Sequence, residues 1–140
     1  LIKRLREHFL IKEENAGEAS DVNQKKNTHT HKNIDNINFR QSIEYINQNY
    51  DTKLHLTELA KTFYLNPTYC CNLFKKIFNC SFSDYLTQIR MEVAANLLEN
   101  QSNSTYFVAE KVGYDDYYYF NKVFKKHFGV TPYKYRNRES

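Results

Sequence analysis

The side chains able to do chemistry fall into two sets: three thiols, and a group of amides and ammonium groups at helical spacing. Cys70, Cys71 and Cys80 are odd in number and two are adjacent, and the chain has no Cys-x-x-Cys. They read as reduced thiols rather than a disulfide framework. His29 and His31 form a His-x-His pair in a polar stretch with no cysteine nearby, which is a poor zinc ligand set. No metal and no cofactor are expected. Cys71 has no recognisable base partner, and no carboxylate pair or phosphate loop has a convincing context, so no enzyme is expected. What remains is Asn72, Lys75 and Lys76 and, fifty residues on, Lys122, Lys125 and Lys126. Side chains three and four residues apart share one helix face. Amides and ammonium groups on such a face suit base edges and phosphates.

Charge and composition are consistent with that chemistry without requiring it. The 140 residues carry a net charge of +4 and are 41% apolar. The pI is about 8.9 and the mean hydropathy −0.77. A core can form, and one face is heavily solvated or part of the chain lies outside the core. No apolar run approaches the roughly eighteen residues of a spanning helix, and no signal peptide is visible. The expectation is a cytoplasmic protein with no membrane partner. The chain starts at Leu1 rather than Met, as a fragment of a longer protein would.

Helical periodicity runs through most of the chain. Leu1, Ile2, Leu5, Phe9 and Leu10 are spaced as on a helix, and Asn15–Asn33 is polar. Residues 1–33 therefore read as the end of an upstream region plus a linker. From Ile34 the pattern is helical. Phe39, Ile43, Ile46 and Tyr50 form one stripe, and Leu56, Leu59, Ala60 and Phe63 a second. Asn66-Pro67 starts a third helix, with Tyr69, Cys70, Leu73, Phe74 and Ile77 on its apolar side. Asn79 ends it as a left-handed cap. Ser81 and Asp84 open a fourth, with the stripe Phe82, Leu86, Ile89, Val93 and Leu97. Ser104 or Thr105 caps a fifth bearing Val108, Ala109 and Val112. Asp115 or Asp116 caps a sixth, with Tyr119, Phe120, Val123 and Phe124 inward and Gly129 at its end. Thr131-Pro132 opens a short last helix. No segment alternates as a strand would. The fold class is all-α, with about seven helices.

The chain also repeats itself. Leu73-Phe74-Lys75-Lys76 matches Val123-Phe124-Lys125-Lys126, and Tyr69, Ser81 and Tyr85 match Tyr119, Thr131 and Tyr135, all 50 residues apart. Leu59-Ala60-Lys61 matches Val108-Ala109-Glu110 at 49, so the second turn is one residue longer. Each copy is a short helix, a turn and a second helix with a cationic outer side. That is the helix-turn-helix plan, whose second helix enters the major groove. The units span about 37–80 and 104–136, with a linker helix over about 81–100, in a domain of 34–140. A helix from Phe82 to Glu99 is roughly 27 Å long, against about 34 Å between successive major-groove faces. Two reading heads from one chain are expected in successive grooves, on a site that need not be palindromic.

These residues resemble the AraC/XylS family of bacterial transcription regulators, from about Ile37 to Arg136. The resemblance rests on Leu65-Asn66-Pro67-Thr68-Tyr69, Leu73-Phe74-Lys75-Lys76 and Ser81-Phe82-Ser83-Asp84-Tyr85-Leu86. It continues through Val112-Gly113-Tyr114-Asp115-Asp116, Tyr119-Phe120, Val123-Phe124-Lys125-Lys126 and Gly129-Val130-Thr131-Pro132-Tyr133-Lys134-Tyr135-Arg136. It implies the family's C-terminal DNA-binding domain, with two homeodomain-like three-helix units. The family often has Arg before the apolar-Phe-Lys run, where this chain has Asn72 and Lys122. Asn favours adenine and Arg guanine, so base preference does not transfer from relatives. Asn79 replaces the usual Gly and tolerates the same backbone conformation.

The recognition helices are expected at about 67–78 and 116–128. Base contacts are assigned to Thr68, Cys71 and Asn72 on the first, and to Tyr117, Tyr118, Asn121 and Lys122 on the second. Phosphate contacts are assigned to Asn66, Lys75, Lys76, Lys125 and Lys126, with further phosphates held by free N–H groups at the helix starts. Phe74, Phe78, Phe120, Phe124, Tyr119 and Tyr135 read as core. A plain solvated face remains open for the four lysines, and a structural role for Tyr117 and Tyr118. The other function class is a helical protein-interaction module whose basic faces bind an acidic partner. Expected partners are duplex promoter DNA, the upstream regulatory domain of the same protein, and RNA polymerase if the protein activates. Dimerisation would lie in the upstream part, and a phosphorylated receiver is preferred to a ligand-binding domain there. The second head, with tyrosines and Lys122, is expected to hold the backbone more strongly than the first.

Overall fold

A computed structural model describes residues 26–139, and side chains from Asn36 to Arg138. The amphipathic start expected over Leu1–Glu14 lies outside the described residues. Among the described residues there are seven α-helices and no strand. These are α1 (Lys26–Asn49), α2 (Leu56–Thr62), α3 (Pro67–Phe78), α4 (Phe82–Leu98), α5 (Thr105–Lys111), α6 (Tyr117–Phe128) and α7 (Pro132–Arg136), followed by a 3-10 turn at Asn137–Glu139. The helix α1 starts eight residues ahead of Ile34, inside the stretch read as linker. A helix closes its own backbone hydrogen bonds, so it can extend through a polar stretch in which the sequence shows no apolar stripe.

Two compact units result, the first of residues up to Gln48 plus Leu54–Phe82, the second of Asn49–Lys53 plus Ser83 onward. In the first, α1 buries Phe39, Ile43 and Ile46, α2 buries Leu59 and Ala60, and α3 buries Cys70, Leu73, Phe74 and Phe78. The rings of Phe39 and Phe74 meet edge to face at 5.1 Å, and Phe74 meets Phe82 the same way at 5.6 Å. Such pairs add to what the buried area alone contributes. Burial pushes the Cys70 thiol up to about 11, with Cys71 adding to the shift, so it stays a protonated packing group.

The second unit packs α4, α5 and α6 around Met91, Ala94, Leu98, Val108, Ala109, Val112, Tyr114, Phe120 and Phe124. Val93 and Leu97, expected on the α4 stripe, are only half-buried, while Met91, Ala94, Ala95 and Leu98 are buried. The buried side of α4 changes after Ile89, a rotation that a single-stripe reading misses. The carbonyls at the end of α4 are satisfied from outside the helix. Asn103 Nδ2 donates to Leu97 O at 2.9 Å, and Arg136 Nε to Leu98 O at 3.3 Å. The Arg136 guanidinium also donates to Asn103 O.

The turns before α3 and α6 are built alike. Tyr64 (φ 57) and Gly113 (φ 99) take left-handed backbone at matching places. Leu65 N donates to Ala60 O at 2.8 Å, and Tyr114 N to Ala109 O at 2.9 Å. Both residues after the bend, Leu65 and Tyr114, are buried. Arg90 backs the second turn, donating from Nε to Tyr50 O at 2.7 Å and from Nη2 to Thr52 O at 2.8 Å. Its guanidinium lies 5.2 Å from the centroid of the Tyr114 ring. Burial raises the Tyr114 phenol above its ordinary range, and Arg90 partly offsets this. A Cβ on Gly113 would lie 3.0 Å from Asp51 O and 3.1 Å from Arg90 Nη2. Gly113→Ala should therefore cost about 1–3 kcal/mol in urea unfolding. Tyr64→Asn relieves a left-handed tyrosine that is 88% exposed and should add up to about 1 kcal/mol.

Candidate nucleic-acid interface

Local chemistry starts and stops the helix α3. Asn66 Oδ1 accepts from Thr68 N at 2.9 Å and Tyr69 N at 3.2 Å, Pro67 occupies the first turn, and Asn79 ends the helix at φ 59. With Cys70, Leu73, Phe74 and Phe78 buried, Thr68, Asn72, Lys75 and Lys76 are exposed and Cys71 is half-buried. The amide of Asn72 stands at a shallow groove shared with Asn36 of α1, Tyr69, Leu73 and Lys76.

The helix α6 is the same length, displaced by 50 residues. Asp116 is its cap, accepting from Tyr118 N at 2.9 Å and Tyr119 N at 3.2 Å, and Gly129 ends it at φ 82. Phe120 and Phe124 are buried, and Tyr118, Lys122, Lys125 and Lys126 are exposed. Tyr119, expected in the core, is 57% exposed with its ring 5.9 Å from that of Tyr114. Phe120, Val123, Phe124 and Phe128 already fill the inner side, so Tyr119 lays only part of its ring on the protein. Tyr117 is half-buried, its hydroxyl 2.8 Å from Thr105 Oγ1 and its ring stacked on Tyr106 at 3.8 Å. Asn121 is half-buried and donates from Nδ2 to Tyr117 O at 3.0 Å. Of the four residues expected to read bases on α6, Tyr118 and Lys122 thus stand out from the helix. Tyr117 is turned onto α5, and Asn121 back onto its own helix.

A model described as a helix-turn-helix domain matches residues 59–138 of the chain. The lactose operon transcription activator of Staphylococcus xylosus is 35% identical over 107 residues, covering 76% of this chain and 38% of that protein. The C-terminal domain of the two-component response regulator yesN from Fusobacterium nucleatum is 37% identical with a TM-score of 0.65. It covers 69% of this chain and 95% of its own. The C-terminal domain of AraT, a response regulator from Geobacillus stearothermophilus, is 36% identical with a TM-score of 0.69, covering 72% and 84%. The chain belongs to the AraC family of helix-turn-helix transcription regulators. It carries that family's DNA-binding, all-α double helix-turn-helix domain, and it spans about a third of the length of the curated relatives it matches. No helix among the described residues is long and apolar enough to cross a membrane.

One expectation for this AraC-type domain needs correction. Free N–H groups were expected to hold phosphates at both recognition-helix starts. The side chains of Asn66 and Asp116 already accept from two of those N–H groups in each helix. At α6 the acceptor is a carboxylate, with Asp115 exposed beside it, so a phosphate meets negative charge there. The amide oxygen of Asn66 is likewise occupied by the cap, which leaves its nitrogen as the donor available to DNA. Asp116→Asn keeps a good cap and removes the charge. Duplex affinity measured by fluorescence anisotropy should rise about two- to fivefold at low salt, and the gain should shrink as salt increases. Thermal stability should change by less than about 1 kcal/mol.

Proposed function

We propose that α3 and α6 each enter a major groove and read two segments of one promoter site. The observation that carries this reading is the pair of twelve-residue helices, each buried on one side and polar or cationic on the other. Thr68 and Asn72 on α3, and Tyr118 and Lys122 on α6, meet base edges. Cys71 contributes a small apolar contact of the kind a thymine methyl accepts. Lys75, Lys76, Lys125 and Lys126 meet phosphates, as does the amide nitrogen of Asn66. Tyr117 and Asn121 act through the shape of α6 rather than by reaching into the groove.

The domain works in the cytoplasm as the output end of a longer protein whose upstream part receives the signal and pairs two chains. The likeness to output domains of two response regulators, at 37% and 36% identity, supports a phosphorylated receiver in that position. If the protein activates, RNA polymerase is its further partner. Selection from random duplex DNA gives the site to test. On that site Asn72→Ala and Lys122→Ala should each cost about 1–3 kcal/mol and relax preference at one position. Lys125→Ala should weaken all duplexes alike and reduce the salt slope by about one. Duplex binding that ignores salt and all three substitutions would leave an acidic protein as the partner instead.

A further inference from the structure

The second unit carries a tyrosine cluster that the first lacks. Tyr106 of α5 stacks on Tyr117 of α6 with ring centroids 3.8 Å apart and planes at 19°. Tyr118 meets Tyr117 edge-on at 6.1 Å. By the internal repeat, the places of Tyr106, Tyr117 and Tyr118 are held in the first unit by Thr57, Pro67 and Thr68. Shared packing needs therefore do not explain the rings.

Within the cluster the hydroxyls differ. Tyr117 has its hydroxyl engaged with Thr105 Oγ1 at 2.8 Å. Tyr106 is 64% exposed although one face of its ring is stacked. Its hydroxyl has no hydrogen-bond partner among the described residues. A ring held in place before binding loses little freedom when it makes a contact.

In helix-turn-helix docking the start of the recognition helix meets base edges, while the first helix crosses the sugar–phosphate backbone. Tyr106 belongs to the first helix of its pair and touches the first residue of α6. It stands where base edges give way to backbone. We propose that the Tyr106 hydroxyl donates a hydrogen bond to a DNA phosphate flanking the segment read by α6, with Tyr117 as the rigid support of its ring. This rests on α6 being a recognition helix. The donor is neutral, so the contact adds affinity with little counterion release.

Tyr106→Phe keeps the stack and removes the hydroxyl. On a duplex the protein selects from random sequence, binding should weaken about three- to tenfold. Base preference and the slope of affinity against salt should stay those of the wild type. Across duplexes each carrying a single methylphosphonate, one flanking position should weaken the wild type and leave Tyr106→Phe no weaker than before. Lys122→Ala is measured in parallel. If Lys122→Ala binds as the wild type does, the reading of α6 is wrong, and the Tyr106 proposal falls with it. If Lys122→Ala is weakened while Tyr106→Phe matches the wild type at every salt concentration, only the phosphate contact is overturned. The tyrosines then serve packing or a protein partner.

Discussion

Both units depend on one turn, in which a single residue with left-handed backbone separates the first helix from the recognition helix. The amide of the next residue closes the turn onto an alanine carbonyl, Ala60 in the first unit and Ala109 in the second. The side chain of that residue is driven into the core, as Leu65 or Tyr114. Hydrogen bond, bend and buried anchor together set the direction in which the recognition helix leaves. Which of its side chains the helix presents to solvent follows from that direction. The first unit uses a strained Tyr64 at the bend. The second uses Gly113, where φ 99 strains any side chain and a Cβ would crowd Asp51 O and Arg90.

Beyond the shared turn the two heads diverge in chemistry. The first starts its recognition helix with a neutral amide cap, Asn66, followed by Pro67 and an exposed Thr68. The second has one residue more in the turn and a carboxylate cap, Asp116. Its helix then opens with three tyrosines before Lys122. Negative charge at the start of α6 and three lysines further along it give that helix a gradient of charge. The α3 gradient is weaker, since its start is uncharged and Lys75 and Lys76 alone follow. The two heads thus present different surfaces built on one repeated plan.

Much of this scaffold was legible in the residues. Caps and breakers act within a few positions, so Asn66-Pro67, Asn79, Gly129 and Thr131-Pro132 marked helix ends that the structure bears out, and the two open pairs, Ser104 or Thr105 and Asp115 or Asp116, resolve to Ser104 and Asp116. The 50-residue repeat carried through to helices of identical length. The exposed set of Thr68, Asn72, Lys75 and Lys76 followed from the three- and four-residue spacing of buried Cys70, Leu73 and Phe74. Other features were not legible. The early start of α1 has no apolar stripe to announce it. The buried side of α4 changes after Ile89, and Tyr119 lies outside a core already filled by its neighbours.

The sequence by itself determined the helices from Ile34 on, most of their ends, the duplication and the cationic outer faces. Each of these is set by interactions within a few residues or by a periodicity along the chain. Tertiary structure alone decided which polar groups on those faces remain available. Thr105 and Tyr106 lie a turn and a helix away from Tyr117, yet they hold its hydroxyl and its ring. Two aspartates beside α6 looked equivalent in the chain, and only the capping geometry singled out Asp116. Hydrogen bonding and stacking between helices are short-ranged in space and unconstrained in sequence separation. Spacing could therefore put a side chain on a helix face, but not say whether its polar atoms were already engaged.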